Sequence, residues 1–147
     1  MNDSFNFTGE VHVMLFDENG KLKQEHTSHN LVVSGAKTYL ATLAVIDAFM
    51  PYIAVGTNGT PPILSNVALG AEITGVGNSR ALGVLSNTSN SWTNQATFAP
   101  GNCTGTIQEA GLFTDLSGGV MFARQVFTPY VKGVGDTLVV IWTITIS

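Results

Sequence analysis

LVVIWTITI, residues 138–146, is the stretch that decides the fold. In an extended backbone successive side chains point to opposite faces, so Leu138, Val140, Trp142, Ile144 and Ile146 share one side. Val139, Ile141, Thr143 and Thr145 share the other. Both faces carry β-branched residues, which predicts a strand in the middle of a sheet or one covered by a partner.

Working outward, the same alternation recurs. Near the start, Val11, Val13 and Leu15 fall on one face of residues 8–17, and Asn19-Gly20 then supplies a strong short hairpin signal. A two-residue turn there pairs Val13 with His26 and Leu15 with Gln24. YIAVG (residues 52–56) and residues 79–86 and 92–99 read as further strands. Residues 104–114 and 120–127 flank DLSGG (residues 115–119), a second hairpin candidate. Seven or eight such strands predict an all-β chain, one antiparallel β-sandwich spanning residues 1–147. A single helix is predicted over residues 35–49: Ser34 caps it, and Ala36, Tyr39, Leu40, Leu43, Ile46 and Met50 recur at helical spacing. Pro51 ends it. TNGTPPILSN (residues 57–66) reads as an exposed irregular loop, with a turn of helix over residues 67–72.

Composition narrows the function. Hydrophobic residues make up 44% of the chain and charged residues 11%, where an ordinary soluble domain carries about a quarter charged. Many outward positions must therefore be Thr, Ser, Asn or Gly, as in subunits packed against neighbours. The net charge of -4 and the six scattered Lys and Arg residues exclude the clustered cations that nucleic-acid binding needs. Cys103, the lone cysteine, can make no internal disulfide and reads as a small buried hydrophobe. The start, MNDSFNFTGE, shows no signal-peptide pattern, and no apolar run approaches the roughly 18 residues of a membrane span. The expectation is a protein made in the cytoplasm, with no membrane partner.

Catalytic and metal chemistry find little to work with. His26 and His29 lack the helical two-ligand spacing, the hairpin register sets His12 and His26 on opposite faces, and no phosphate loop, serine elbow or paired-cysteine motif occurs. No enzyme activity and no cofactor are expected. Four charges stand among apolar residues. With a four-residue turn, Glu109 of TIQEAGLF falls directly opposite Arg124 of VMFARQVF, predicting a structural ion pair. Glu72 and Arg80 flank the glycines at 75 and 77 and form a second candidate pair. Trp142 and Phe98 read as core, leaving Trp92 or Tyr130 to reach solvent, where an aromatic ring could also stack on a sugar.

In order, PYIAVGTNGTPP, LGAE, Arg80, EAGLF (residues 109–113), a Gly-Gly turn, MFARQVF and GDTLVVIWTITIS resemble small β-sandwich modules of tailed-phage virions, the capsid-decoration and tail-collar fibre proteins. The resemblance covers residues 51–147. It implies a virion structural protein, a capsid decoration (cement) subunit on the head, with capsid or other virion proteins as partners and a homotrimer as the assembly. The alternatives it leaves are a neck, tail or baseplate component, or a host- or glycan-binding module on the tail. Candidate contact elements are an N-terminal arm (residues 1–7) carrying Phe5 and Phe7, the loop with Asn58, Pro61, Pro62 and Ile63, residues 86–91, Trp92 and Tyr130.

Overall fold

The computed structural model describes residues 7–33, 35–36, 50–87 and 91–146. Among the described residues nine strands follow one another: β1 (Phe7–Phe16), β2 (Leu22–Val32), β3 (Tyr52–Gly56), β4 (Ala81–Leu82), β5 (Val84–Asn87), β6 (Ser91–Phe98), β7 (Gly105–Phe113), β8 (Met121–Lys132) and β9 (Thr137–Ile146). The fold is all-β, with nine strands where turn counting predicts seven or eight. The difference arises because residues 79–86 break at Gly83 into two short strands, and β5 runs on to Asn87.

Every pairing is antiparallel, in the spatial order β4-β3-β7-β8-β2-β1-β9-β6-β5. The two ends of that order, β4 and β5, are separated in the chain by Gly83 alone. One sheet therefore curls until its borders meet, giving a near-barrel. Asn94, fully buried, marks the closure: its Nδ2 donates to the Met50 carbonyl at 2.9 Å, while Gly83 N donates to the Pro51 carbonyl at 2.8 Å. Gly83 must be glycine, since a Cβ there would stand 1.5 Å from Asn94 Oδ1.

β9 lies between β1 and β6, a central strand, and Leu138, Val140, Trp142 and Ile144 are fully buried. They meet Val11, Val13 and Leu15 of β1 and, from the other half of the sheet, Ile53, Val55, Ile107, Ala110, Leu112, Phe122 and Tyr130. A fully buried side chain of this size contributes about 1.5–3 kcal/mol. The curl is thus held by a core drawn from both halves.

The first hairpin pairs Val13 with His26 and Leu15 with Gln24, the predicted register. Its turn is longer than two residues. The register slips by one between Leu15 and Phe16, and the Asp17 carboxylate accepts from the Asn19 and Lys21 amides, both at 2.9 Å. Of the helix predicted over residues 35–49, only Gly35 and Ala36 are among the described residues; the remainder lies outside them. The predicted helical turn at 67–72 does not form. That segment runs along β3 instead, with Thr57 N donating to the Ala71 carbonyl and Ile73 N to the Val55 carbonyl, both at 2.9 Å. Phe5 lies outside the described residues, while Phe7 belongs to β1, paired with Ile146, and is not part of a free arm.

Candidate interaction surface

On β3, β7 and β8, Ile53, Val55, Ala110 and Leu112 face the core, which turns Tyr52, Ala54, Glu109, Gly111 and Phe113 outward. In an ordinary sheet such positions meet water. Here Ala54, Glu109, Gly111 and Phe113 are buried because residues 57–80 fold back over them. Leu69 packs on Gly111, where a Cβ would come within 2.8 Å of it and 2.7 Å of the Phe113 ring. Glycine in EAGLF is the space that Leu69 occupies.

Two ion pairs fasten this cover. Glu109 is fully buried and Arg124 is 3% exposed. They are not directly opposite: the turn takes five residues, Thr114 N donating to the Val120 carbonyl, and β8 carries an extra residue, Phe122, between the partners of Leu112 and Phe113, so Glu109 faces Val126 and Arg124 faces Gly111. The pair is diagonal, and Arg124 Nε donates to Glu109 Oε2 at 2.8 Å. The remaining valences of both groups go to the cover. Glu109 accepts from the amides of Gly70 (2.9 Å), Ala71 (2.7 Å) and Asn58 (3.3 Å), and Arg124 donates to Asn66 Oδ1 and the Thr60 carbonyl, both at 3.1 Å. Such charge-assisted bonds are roughly twice as strong as neutral ones. With its oxygens engaged this way, Glu109 acts as a clasp.

The second pair pins the other end of the cover. Arg80 forks onto Glu72 at 2.7 and 3.0 Å, and its third nitrogen donates to the Asp115 and Gly118 carbonyls at 2.7 and 2.8 Å. Its guanidinium carbon stands 3.7 Å from the Phe113 ring centre. One side chain thereby ties the cover, β7 and the β7–β8 turn together.

Above these clasps the cover presents apolar residues to solvent: Ile63 and Leu64 are more than half exposed and Val67 is 80% exposed. Pro61, Ile63, Val67 and Asn58 line an open hollow of about 410 Å³ whose floor includes Arg124. Asn66 holds the tip in shape, its Oδ1 accepting from Ile63 N and its own N donating to the Ile63 carbonyl, both at 3.0 Å. Pro62 is half-buried within the same turn.

Two predicted contact residues turn inward. Tyr130 is fully buried, its hydroxyl donates to the Val13 carbonyl at 3.2 Å, and burial pushes its pKa up to about 12. Trp92 sits on the inner face opposite Ile144 and packs edge-on against Phe122, ring centres 5.6 Å apart. Alternation within β6 turns Trp92, half-buried, toward the core, and an irregularity in β8 between Val126 and Tyr130 turns Tyr130 fully into it.

One end of the near-barrel holds the other buried charges. Lys132 is 1% exposed, its ammonium donates to the Ala99 carbonyl at 3.0 Å, and burial lowers its pKa. Lys23, 2.6 Å from Asp136, and the Gly133 amide hold the Asp136 carboxyl below its usual range. Cys103 is buried beside them with its thiol pKa raised by desolvation. His12 pairs with Glu25 at 2.6 Å on the outer face of β1 and β2. Among the described residues no three His, Cys, Asp or Glu side chains are placed to hold a metal ion, and no helix is long and apolar enough to cross a membrane. No protein-family model and no curated protein compared with the sequence matches it.

Proposed function

We propose that this chain is a structural subunit of a tailed-phage virion that works by binding other proteins, with the cover of residues 57–80 as its contact surface. The observation that carries the reading is the rigid display of apolar side chains. A long loop without strands of its own is commonly mobile, yet this one is fastened by two ion pairs and turns Ile63, Leu64 and Val67 to water. Fastening a loop beforehand lowers the ordering cost of association, and apolar residues on such a loop form the kind of anchor that binding energy concentrates in. The charge-poor composition supports the same reading. The partner this favours is a capsid protein, with the chain decorating the head; a neck, tail or baseplate position is the alternative.

Mass spectrometry of purified particles tests it. The chain is expected as a component at many copies per particle, and supplying Ile63→Asp/Val67→Asp during infection is expected to leave the purified chain folded but missing from particles. Particles of the source phage that lack the chain, or that take up the double variant as well as the parent, overturn the proposal.

A further inference from the structure

The hollow of about 410 Å³ in the cover is walled by described residues throughout, drawn from residues 58–70 with Arg124 beneath them. Its polar groups are of one kind. Asn58 Oδ1 already accepts from the Thr60 amide at 2.7 Å, and Asn66 Oδ1 accepts from the Ile63 amide at 3.0 Å and from Arg124 Nη1 at 3.1 Å. The nitrogen ends of both side-chain amides are left over, and neither has an acceptor among the described residues. Arg124 commits Nε to Glu109 and Nη2 to Glu109 and the Thr60 carbonyl, whereas Nη1, which carries two hydrogens, meets Asn66 alone. Because Asn66 Oδ1 is bonded to Nη1, its Nδ2 stands beside the idle Nη1 hydrogen. The hollow therefore offers donors between apolar walls at Pro61, Ile63 and Val67.

Charge decides which acceptor fits. Arg124 is already balanced by Glu109, so a carboxylate entering the hollow would bring a buried charge with no cation of its own. An ammonium or guanidinium would meet donors. A neutral carbonyl is left, and the main-chain amide is the neutral carbonyl that every protein carries next to its apolar side chains. We infer that the hollow seats an uncharged peptide segment of the partner protein, one apolar side chain among Pro61, Ile63 and Val67 and its backbone carbonyl on Arg124 Nη1 and Asn66 Nδ2. This rests on the reading of residues 57–80 as the contact surface and adds what that surface takes. Arg124 then has two roles, holding the cover through Glu109 and Thr60 and meeting the partner through the hydrogen that remains.

NMR titration of the labelled full chain with isocaproamide, an uncharged carbonyl on a branched apolar chain, is the test; isocaproate carries the same skeleton with a carboxylate. The amide is expected to shift the Arg124 and Asn66 side-chain nitrogens with a dissociation constant on the order of millimolar, as so small a fragment allows, and to bind about tenfold tighter than the carboxylate or more. Asn66→Asp keeps the oxygen that holds Ile63 and Arg124 and removes the Nδ2 donor, and it is expected to weaken the amide about tenfold with an unchanged circular dichroism spectrum. No shift at Arg124 and Asn66, a carboxylate that binds as well as the amide, or an aspartate variant that binds like the parent overturns the inference. So do shifts at the same nitrogens on concentrating the chain alone, which a second copy in the hollow would give. If Asn66→Asp does not fold, the amide-to-carboxylate ratio on the parent decides. The titration needs no particle, so its failure and the chain's absence from particles are told apart.

Discussion

The outer face of β3, β7 and β8 lies under residues 57–80, whereas the outer face of β1, β9 and β6 is bare among the described residues. The difference can be traced to a few side chains. The covered face has an ionisable pair, a glycine and an aromatic ring at Glu109, Arg124, Gly111 and Phe113. The bare face has short polar and β-branched residues, with Thr93, Thr143 and Glu10 in one row and Gln95, Ile141 and His12 in the next. Thr and Ile suit a pleated surface with one side wet. A buried carboxylate and guanidinium do not, and they demand a cover that supplies hydrogen bonds. The comparison teaches that the charges on the covered face determine where the loop lies, while the bare face asks nothing of the rest of the chain.

Substitutions on the two faces should separate accordingly. The largest effect is expected at Glu109→Ala, which strands Arg124 uncompensated inside the protein and should cost about 3–5 kcal/mol in denaturant unfolding. The Gly70 and Ala71 amides should exchange faster in the same variant; if they do not, the carboxylate is not what holds the cover. Gly111→Ala should cost less, about 1–3 kcal/mol, by driving a methyl into Leu69 and Phe113. A cost near zero would mean that the cover is loosely seated. The smallest effect belongs to the bare face: Thr143→Ala should stay within about 0.5 kcal/mol of the parent. A larger loss there would show that this face is also covered.

How far the sequence alone foretells this depends on where each partner comes from. β9 and the first hairpin were legible because alternation and an Asn-Gly turn are local signals, and Val13 does meet His26. The pairing of Glu109 with Arg124 was legible from charges stranded in apolar runs. Its register was not, since the fifth turn residue and the extra Phe122 in β8 have no residue signature and together shift the partner from opposite to diagonal. The cover itself was hidden because most of what Glu109 binds is backbone amide, which every residue carries. A glycine between two core residues in EAGLF was the available signal that something packs there. Alternation with Ala96 and Phe98 in β6 already points Trp92 inward, whereas Tyr130 turns in because β8 is irregular between Val126 and Tyr130, which breaks the alternation set by Ala123 and Phe127.

The meeting of β4 and β5 across Gly83 has a consequence for the order of assembly. β5 can pair with β6 as a local hairpin, but Ala81 and Leu82 can dock on β3 only after the two ends of the strand order have been brought side by side. Closure therefore depends on long-range pairing, which is slow to form, and this segment is the natural last piece to engage. By the same token it is the natural first piece to let go, and its release would unroll a closed ring into a ribbon with two raw margins.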